Sequence, residues 1–243
     1  MDNFTAKYEF TIVVPLYNEE DNIERLKNEL SSFLPTSFFS TCVLFVDDGS
    51  TDNSLQKVKE ACSMTPNFYY ISFAKNRGLS AAIKAGIDIV QSKYIGYIDA
   101  DLQTTPKDFN LLLPHLKDYK MAIGIRMNRK DTFIKKLSSK IANNFRRYMT
   151  KDDAIDTGCP LKVLHTEYAR RMPFFTGMHR FMPALLLLEG ESTKQVVVSH
   201  FPRIAGVAKY NLRNRLISPL VDCFGYRWMK KRYIRYTIND NNL

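Results

Sequence analysis

Phe10-Thr11-Ile12-Val13-Val14-Pro15-Leu16, read as FTIVVPL and followed by Tyr17-Asn18-Glu19-Glu20, decides the fold. The run is short, rich in β-branched side chains and closed by a polar turn, so it reads as a strand buried on both faces. Three more runs share these features: Cys42 to Val46, Phe68 to Phe73 and Tyr94 to Ile98. Between them, Glu20 to Leu34, Thr51 to Cys62 and Arg77 to Val90 carry apolar residues at helical spacing; in the last segment these are Leu79, Ala82, Ile83, Gly86, Ile87 and Val90. Strand and helix in alternation predict an α/β fold, a mostly parallel sheet flanked by helices on both faces. Ligands of such sheets sit beyond the carboxyl ends of the strands. Four polar loops, PLYNEED, VDDGSTD, AKNRGLS and IDADLQ, follow directly on the four strands and should converge on that edge.

A chain of 243 residues, 45% of them hydrophobic, can bury a sizeable core as one large domain or one domain with an appendage. Cys42, Cys62, Cys159 and Cys223 form no CxxC pair, which argues against a disulfide framework or zinc ribbon and for a reducing compartment. MDNFTAKYEF has no secretory pattern, and no run approaches the roughly 18 apolar residues of a spanning helix. The expected location is the cytosol or a membrane surface. The net charge of +10 divides unevenly: residues 1–104 carry 9 Lys/Arg against 14 Asp/Glu, net −5, and residues 105–243 carry 26 against 11, net +15. A basic half of this kind suits phosphate on nucleic acid, lipid or substrate, or else is a solvated surface. An RNA-binding fold would show an aromatic sheet platform, which buried strands do not offer, so no nucleic-acid partner is expected.

Each loop admits a functional and a plain reading. Asp99 and Asp101 in YIDADLQ point to one face if the extended conformation persists, where they could share a hard cation such as Mg²⁺ or Mn²⁺ with help from Gln103. The plain reading is a polar turn whose acids cap the next helix. In VDDGSTD, Gly49 permits a tight turn and Ser50 or Thr51 can cap a helix, which leaves Asp47 and Asp48 for a nucleobase or ribose. Tyr17 can stack on a base and Glu19 can reach a sugar hydroxyl. Lys75 and Arg77 at a helix start suit a phosphate, or form a solvated turn.

The ordered set PLYNEE, VDDGSTD, KNRG and DADLQ resembles the nucleotide-sugar half of family 2 glycosyltransferases, which implies a Rossmann-like GT-A fold. Gly124-Ile125-Arg126, the basic segment 133–148, Asp156-Thr157-Gly158 and the stretch from Arg203 to Tyr210 are similar to the polyprenyl-phosphate branch, that of the dolichol-phosphate mannose synthases and bactoprenol-phosphate glycosyltransferases. The resemblance covers roughly residues 9–232. It implies that Pro15, Tyr17, Glu19, Asp47 and Asp48 bind the nucleoside of a UDP- or GDP-sugar, beside Lys75, Arg77 and Ala100. It implies that Asp99 and Asp101 hold the metal, with Gln103 able to join them. Arg126, Lys135, Lys136 and Ser139 fall around the acceptor phosphate, the choice between the two lysines staying open. Arg203 and Lys209 match a loop over the diphosphate; the branch often has Ser before that lysine, where this chain has Ala208.

The implied reaction is an inverting displacement. An acceptor phosphate is already anionic near neutral pH and needs no strong general base, so the demands are charge stabilisation on the leaving diphosphate and alignment of two anions. Asp156 is open as a base or as a hydrogen-bonded loop acid. The resemblance gives a GT-A domain over 1–208 (nucleotide-sugar half about 9–104, acceptor half about 105–208) and a tail over 209–243. In the tail, Leu212, Leu216, Ile217, Leu220, Val221, Phe224 and Trp228 form a stripe beside Arg227, Lys230, Lys231, Arg232 and Arg235. That pattern suits an anionic membrane surface, with Ser218-Pro219 dividing two short helices, or a helix packed on the domain with a solvated basic face. Peripheral attachment at the cytoplasmic face follows, aided or not by a membrane-protein partner. His179 in GMHR reads as structural, and Phe181 to Leu188 as a core or membrane-facing helix. A transferase with a saccharide acceptor would share the first half without needing the basic second half.

Overall fold

The computed structural model describes residues 5–127, 143–202, 212–236 and 239–240, with the backbone alone for 212–219. Seven strands, β1 (Phe10–Leu16), β2 (Thr41–Asp47), β3 (Phe68–Ser72), β4 (Tyr94–Tyr97), β5 (Met121–Arg126), β6 (Lys162–His165) and β7 (Thr193–Val198), form one sheet in the order β3-β2-β1-β4-β6-β5-β7. β3, β2, β1 and β4 run parallel, as do β5 and β7, while β6 is antiparallel to both neighbours. The expected GT-A-like α/β sheet is present.

Period-two alternation divides β1 between two core layers. Phe10, Ile12, Val14 and Leu16 pack with α1 (Ile23–Phe33), α2 (Ser54–Met64) and α4 (Phe109–Leu112). Val13 faces the other layer, which holds α3 (Leu79–Ile89), α6 (Thr166–Arg171), α7 (Met182–Leu188) and α8 (Leu212–Lys230). The stripe Ile23, Leu26, Leu30 and Phe33 buries α1, at about 1.5–3 kcal/mol for each side chain removed from water. Gly96 leaves β4 without a Cβ where one would lie 2.5 Å from the Phe10 ring, and that ring meets Phe109 edge-on at 5.3 Å. α5, whose described part is 143–150, is tied to the following loop by Arg146, which bonds Asp152 and Ala154 O.

Three boundaries differ from the sequence reading. β4 ends at Tyr97, and Ala100 and Asp101 lie in a turn closed by Leu102 at φ +51°, so no extended strand presents the acid pair. α2 begins after Asn53 with no side-chain cap, because the Ser50 and Thr51 hydroxyls are engaged by Asn18 instead. α8 runs unbroken through Ser218-Pro219. An interior proline costs about 3 kcal/mol of helix stability, and here the burial of Cys223 and Tyr226 further along the helix offsets it.

Candidate active site

Loops after β1, β2 and β3 are tied into one unit at the carboxyl edge of the sheet. Asn18, at φ +48°, accepts Thr51 N at 2.8 Å and donates its own N–H to Ser50 Oγ at 3.0 Å. Glu19 N donates to Ser54 Oγ and Glu20 N to Asp52 Oδ2, bonds that delay the start of α1 to Ile23. Asp47, fully buried, accepts Ser50 N and the Ser72 hydroxyl. Asp48 accepts Arg77 N at 2.7 Å and Gly78 N at 2.8 Å, one backbone donor per oxygen. Burial raises the Asp48 pKa above the ordinary carboxylate range, and these donors act against the rise. Gly49 sits at φ +69°, where a Cβ would lie 2.6 Å from the Lys75 carbonyl carbon. The third loop therefore rests directly on the second. Tyr17 and Glu19 are partly exposed and the Lys75 and Arg77 side chains are exposed, whereas Pro15 is buried past the last β1–β4 pair, where its missing N–H breaks no bond between those strands.

The fourth loop carries the acid pair. Asp99 accepts the Tyr97 hydroxyl, and Asp101 Oδ1 accepts Gln103 N at 3.1 Å. Burial first and the charge of Asp101 second push Asp99 up to about 6, against the Tyr97 bond, Lys162 and Arg126. Gln103 O receives Phe201 N at 2.9 Å and faces His200 Nδ1 at 3.1 Å, while Asp108 receives Ser199 N. The chain leaving β7 thus packs against the acid loop. Ala100 is buried between the two acids.

Residues of the second half close the site from below. Arg126, at the end of β5, grips Asp156 through Nε at 2.8 Å and Nη2 at 2.9 Å, and its backbone N–H meets the same carboxylate. Burial lowers the Arg126 pKa, the Asp156 bond and charge outweigh it, and the net shift is upward. Asp156 is thereby a hydrogen-bonded loop acid. Lys162 was not singled out by the sequence reading: it faces Tyr97 across the β4–β6 pair, is 1% exposed, and holds its ammonium 5.5 Å from the Tyr97 ring centre and against Cys159 O. Burial lowers its pKa, while Cys159, Asp156 and Asp99 favour the charged form. The only signal in the sequence is a lysine interrupting the apolar run Cys159 to Leu164.

Asp99 and Asp101 repel each other, and the described residues assemble no group of three or more acids, histidines or cysteines around a metal position. This donor set fits a hard divalent cation held by few protein oxygens and completed by diphosphate and water. Lys135, Lys136, Ser139, Arg203 and Lys209 lie outside the described residues. In α8, Cys223 and Tyr226 dock on the core, with Tyr226 donating to Ala184 O, and Leu220, Val221, Phe224 and Trp228 are exposed beside Arg227, Lys230, Lys231 and Arg232. No helix among the described residues is long and apolar enough to cross a membrane.

The sequence profile described as "Glycosyl transferase family 2" matches residues 11–175. A dodecaprenyl-phosphate galacturonate synthase of Rhizobium johnstonii is 29% identical over 232 residues, spanning 92% of this chain and 69% of that one. Among solved structures, mannosyl-3-phosphoglycerate synthase of Rubrobacter xylanophilus superposes with a TM-score of 0.69 at 15% identity, over 97% of this chain and 78% of that one. Glucosyl-3-phosphoglycerate synthase of Mycobacterium tuberculosis, in complex with Mn²⁺, UDP-glucose and glycerol 3-phosphate, gives 0.67 at 15% identity over 91% and 82%. A mannosyltransferase of Pyrobaculum calidifontis, in complex with GDP-mannose and Mn²⁺, gives 0.65 at 17% over 91% and 64%.

Proposed function

We propose, from the premise that this chain belongs to glycosyl transferase family 2, that it transfers a sugar from a nucleotide sugar to a polyprenyl phosphate with a divalent metal, inverting the anomeric carbon. The observation that carries the acceptor is α8, whose exposed Val221, Phe224 and Trp228 beside Arg227, Lys230 and Arg232 suit an anionic lipid surface. The Rhizobium relative, named for a polyprenyl-phosphate product, supports the same acceptor class. Attachment is peripheral, at the cytoplasmic face, with room for a membrane-protein partner.

Asp99 and Asp101 would hold the metal, Mg²⁺ or Mn²⁺, which when bound stabilises negative charge on the departing nucleoside diphosphate. Tyr17 and Glu19, partly exposed in the first loop, meet the nucleoside. Asp47 and Asp48, buried and bonded to neighbouring loops, shape the nucleoside site and set where Lys75 and Arg77 begin their approach to phosphate. Arg126, braced by Asp156, contributes positive charge for the acceptor phosphate together with Lys135 or Lys136 and the hydroxyl of Ser139. Arg203 and Lys209 follow the Phe201 contact with the acid loop and act on the diphosphate. No side chain needs to remove a proton, because the attacking phosphate oxygen is already anionic.

The test offers purified protein with Mn²⁺ three donors, UDP-galacturonate, UDP-glucose and GDP-mannose, against short-chain polyprenyl phosphate, 3-phosphoglycerate and oligosaccharides. Sugar on the lipid phosphate is expected. Product formed only on a soluble acceptor would overturn the reading.

A further inference from the structure

His179 belongs to none of the loops above, yet it stands beside them. Met178–Arg180 is one 3-10 turn leading into α7, and Met178 and Phe181 share a core layer with Tyr97. The charges acting on His179 are Arg180 and Lys162, and Lys162 also acts on Asp99. Ser80, which contacts the ring, lies two residues after Gly78, whose N–H binds Asp48, so the imidazole stands at the edge of the loop cluster.

Ser80, the second residue of α3, fixes the ring. Its Oγ accepts Gly177 N at 2.9 Å and lies 3.1 Å from His179 Nδ1. With the oxygen already receiving one N–H, and no other acceptor for the hydroxyl hydrogen among the described residues, that hydrogen goes to Nδ1. The ring proton then sits on Nε2. Burial, then Arg180 and Lys162, push the pKa down to about 3, so the ring is neutral near pH 7. His179 keeps partial exposure, and its Nε2 meets no acceptor among the described residues.

A fixed, uncharged N–H donor at the edge of the loop cluster, by the start of α3, matches an uncharged oxygen. Phosphate oxygens are served by the metal and the cations; the sugar presents hydroxyls. We infer that His179 donates its Nε2–H to a hydroxyl of the donor's sugar, and that Ser80 is the positioning residue that sets its tautomer. This rests on the reading that the chain uses a nucleotide sugar.

The test measures binding by calorimetry with Mn²⁺ for two probe pairs, UDP-galacturonate with UDP and GDP-mannose with GDP, taking the ratio of the two Kd values within each pair. His179→Asn keeps an amide near Ser80 but offers nothing at the Nε2 position, and it should worsen the ratio about tenfold, the loss of one hydrogen bond, with the bare nucleotide changed less than about twofold. His179→Gln carries an amide N–H close to where Nε2 stood and should restore most of the ratio, and Ser80→Ala should worsen it about threefold. A ratio preserved in His179→Asn and lost in His179→Gln would make the Ser80 bond the whole role of the ring and overturn the inference. Equal weakening of nucleotide and nucleotide sugar would overturn it too. If wild-type protein bound neither pair, the nucleotide-sugar reading would fall first and this inference with it.

Discussion

The Tyr97 hydroxyl donates to Asp99 Oδ1 at 2.5 Å, so the first acid of the pair is held by the last residue of the strand that delivers it. Tyr97→Phe keeps the ring under Lys162 and removes only that donor. A hydrogen bond to a charged group is worth about 1.5–3 kcal/mol, so the Mn²⁺ concentration for half-maximal transfer should rise about tenfold or more. Turnover at saturating Mn²⁺ should change far less. A metal titration of initial rates checks this, and an unchanged requirement would remove Tyr97 from the metal site.

Asp101→Asn keeps the acceptor for Gln103 N and removes a charge. Transfer should fall by at least about 100-fold, in the range seen when a transition-state charge loses its partner. Circular dichroism and the Tm should stay near wild type. Near-normal turnover in added Mn²⁺ would count against a ligand role.

Gly49→Ala places a Cβ against the Lys75 backbone in a left-handed conformation and should destabilise the chain by about 1–3 kcal/mol. Asp48→Asn replaces an oxygen that receives a backbone N–H with an amide donor or turns it away, costing about 1–3 kcal/mol in the same loop. Urea unfolding measures both losses. Nucleotide affinity should drop in each, since the two substitutions loosen the same packed loops.

Acid sensitivity has a defined sign at His179. Its pKa is about 3 in the folded chain, against about 6.5 for an ordinary imidazole, so unfolded chains take up a proton that folded ones refuse between those values. The stability is fully present above about pH 6.5 and is lost as pH falls toward 3, by up to about 1.4 kcal/mol per pH unit. Between pH 7 and 5, wild type should lose about 2 kcal/mol more than His179→Gln in urea titrations.

Phe224→Ser with Trp228→Ser alters two exposed side chains of α8 and leaves Cys223 and Tyr226 in the core. Binding to vesicles rich in anionic phospholipid should weaken about tenfold or more while the Tm holds. Undiminished binding would return α8 to a helix with a solvated basic face.

β1, β2 and β4 were legible because each is a continuous apolar run bounded by turn formers, the pattern of a strand covered on both faces, whereas β3, which shares that pattern, is an edge strand buried only at Phe68 with Tyr70 and Ser72 exposed. Later strands carry weaker signals: β7 is TKQVVV and mostly half-exposed, and β6 is four residues long and begins with a buried lysine. The acid pair was legible by its place after a strand, although its turn geometry was not. Lys162, Tyr97, Ser80 and the contact of Phe201 with Gln103 depend on pairings between residues 65 to 99 positions apart, which periodicity does not encode. Helix starts moved because side chains of one loop satisfied backbone donors of another, a competition invisible within either loop.

β6 enters the sheet between β4 and β5, with Gly96 opposite Val163. The strands of the amino-terminal and carboxy-terminal halves therefore meet along one seam, the antiparallel β4–β6 pair. A chimera cut near residue 104 to exchange acceptors would strip β4 of a hydrogen-bonded neighbour and bare the edge next to the acid pair. Any graft must bring its own antiparallel strand in the same register, so variation of the acceptor is confined to loops and surfaces that leave this seam intact.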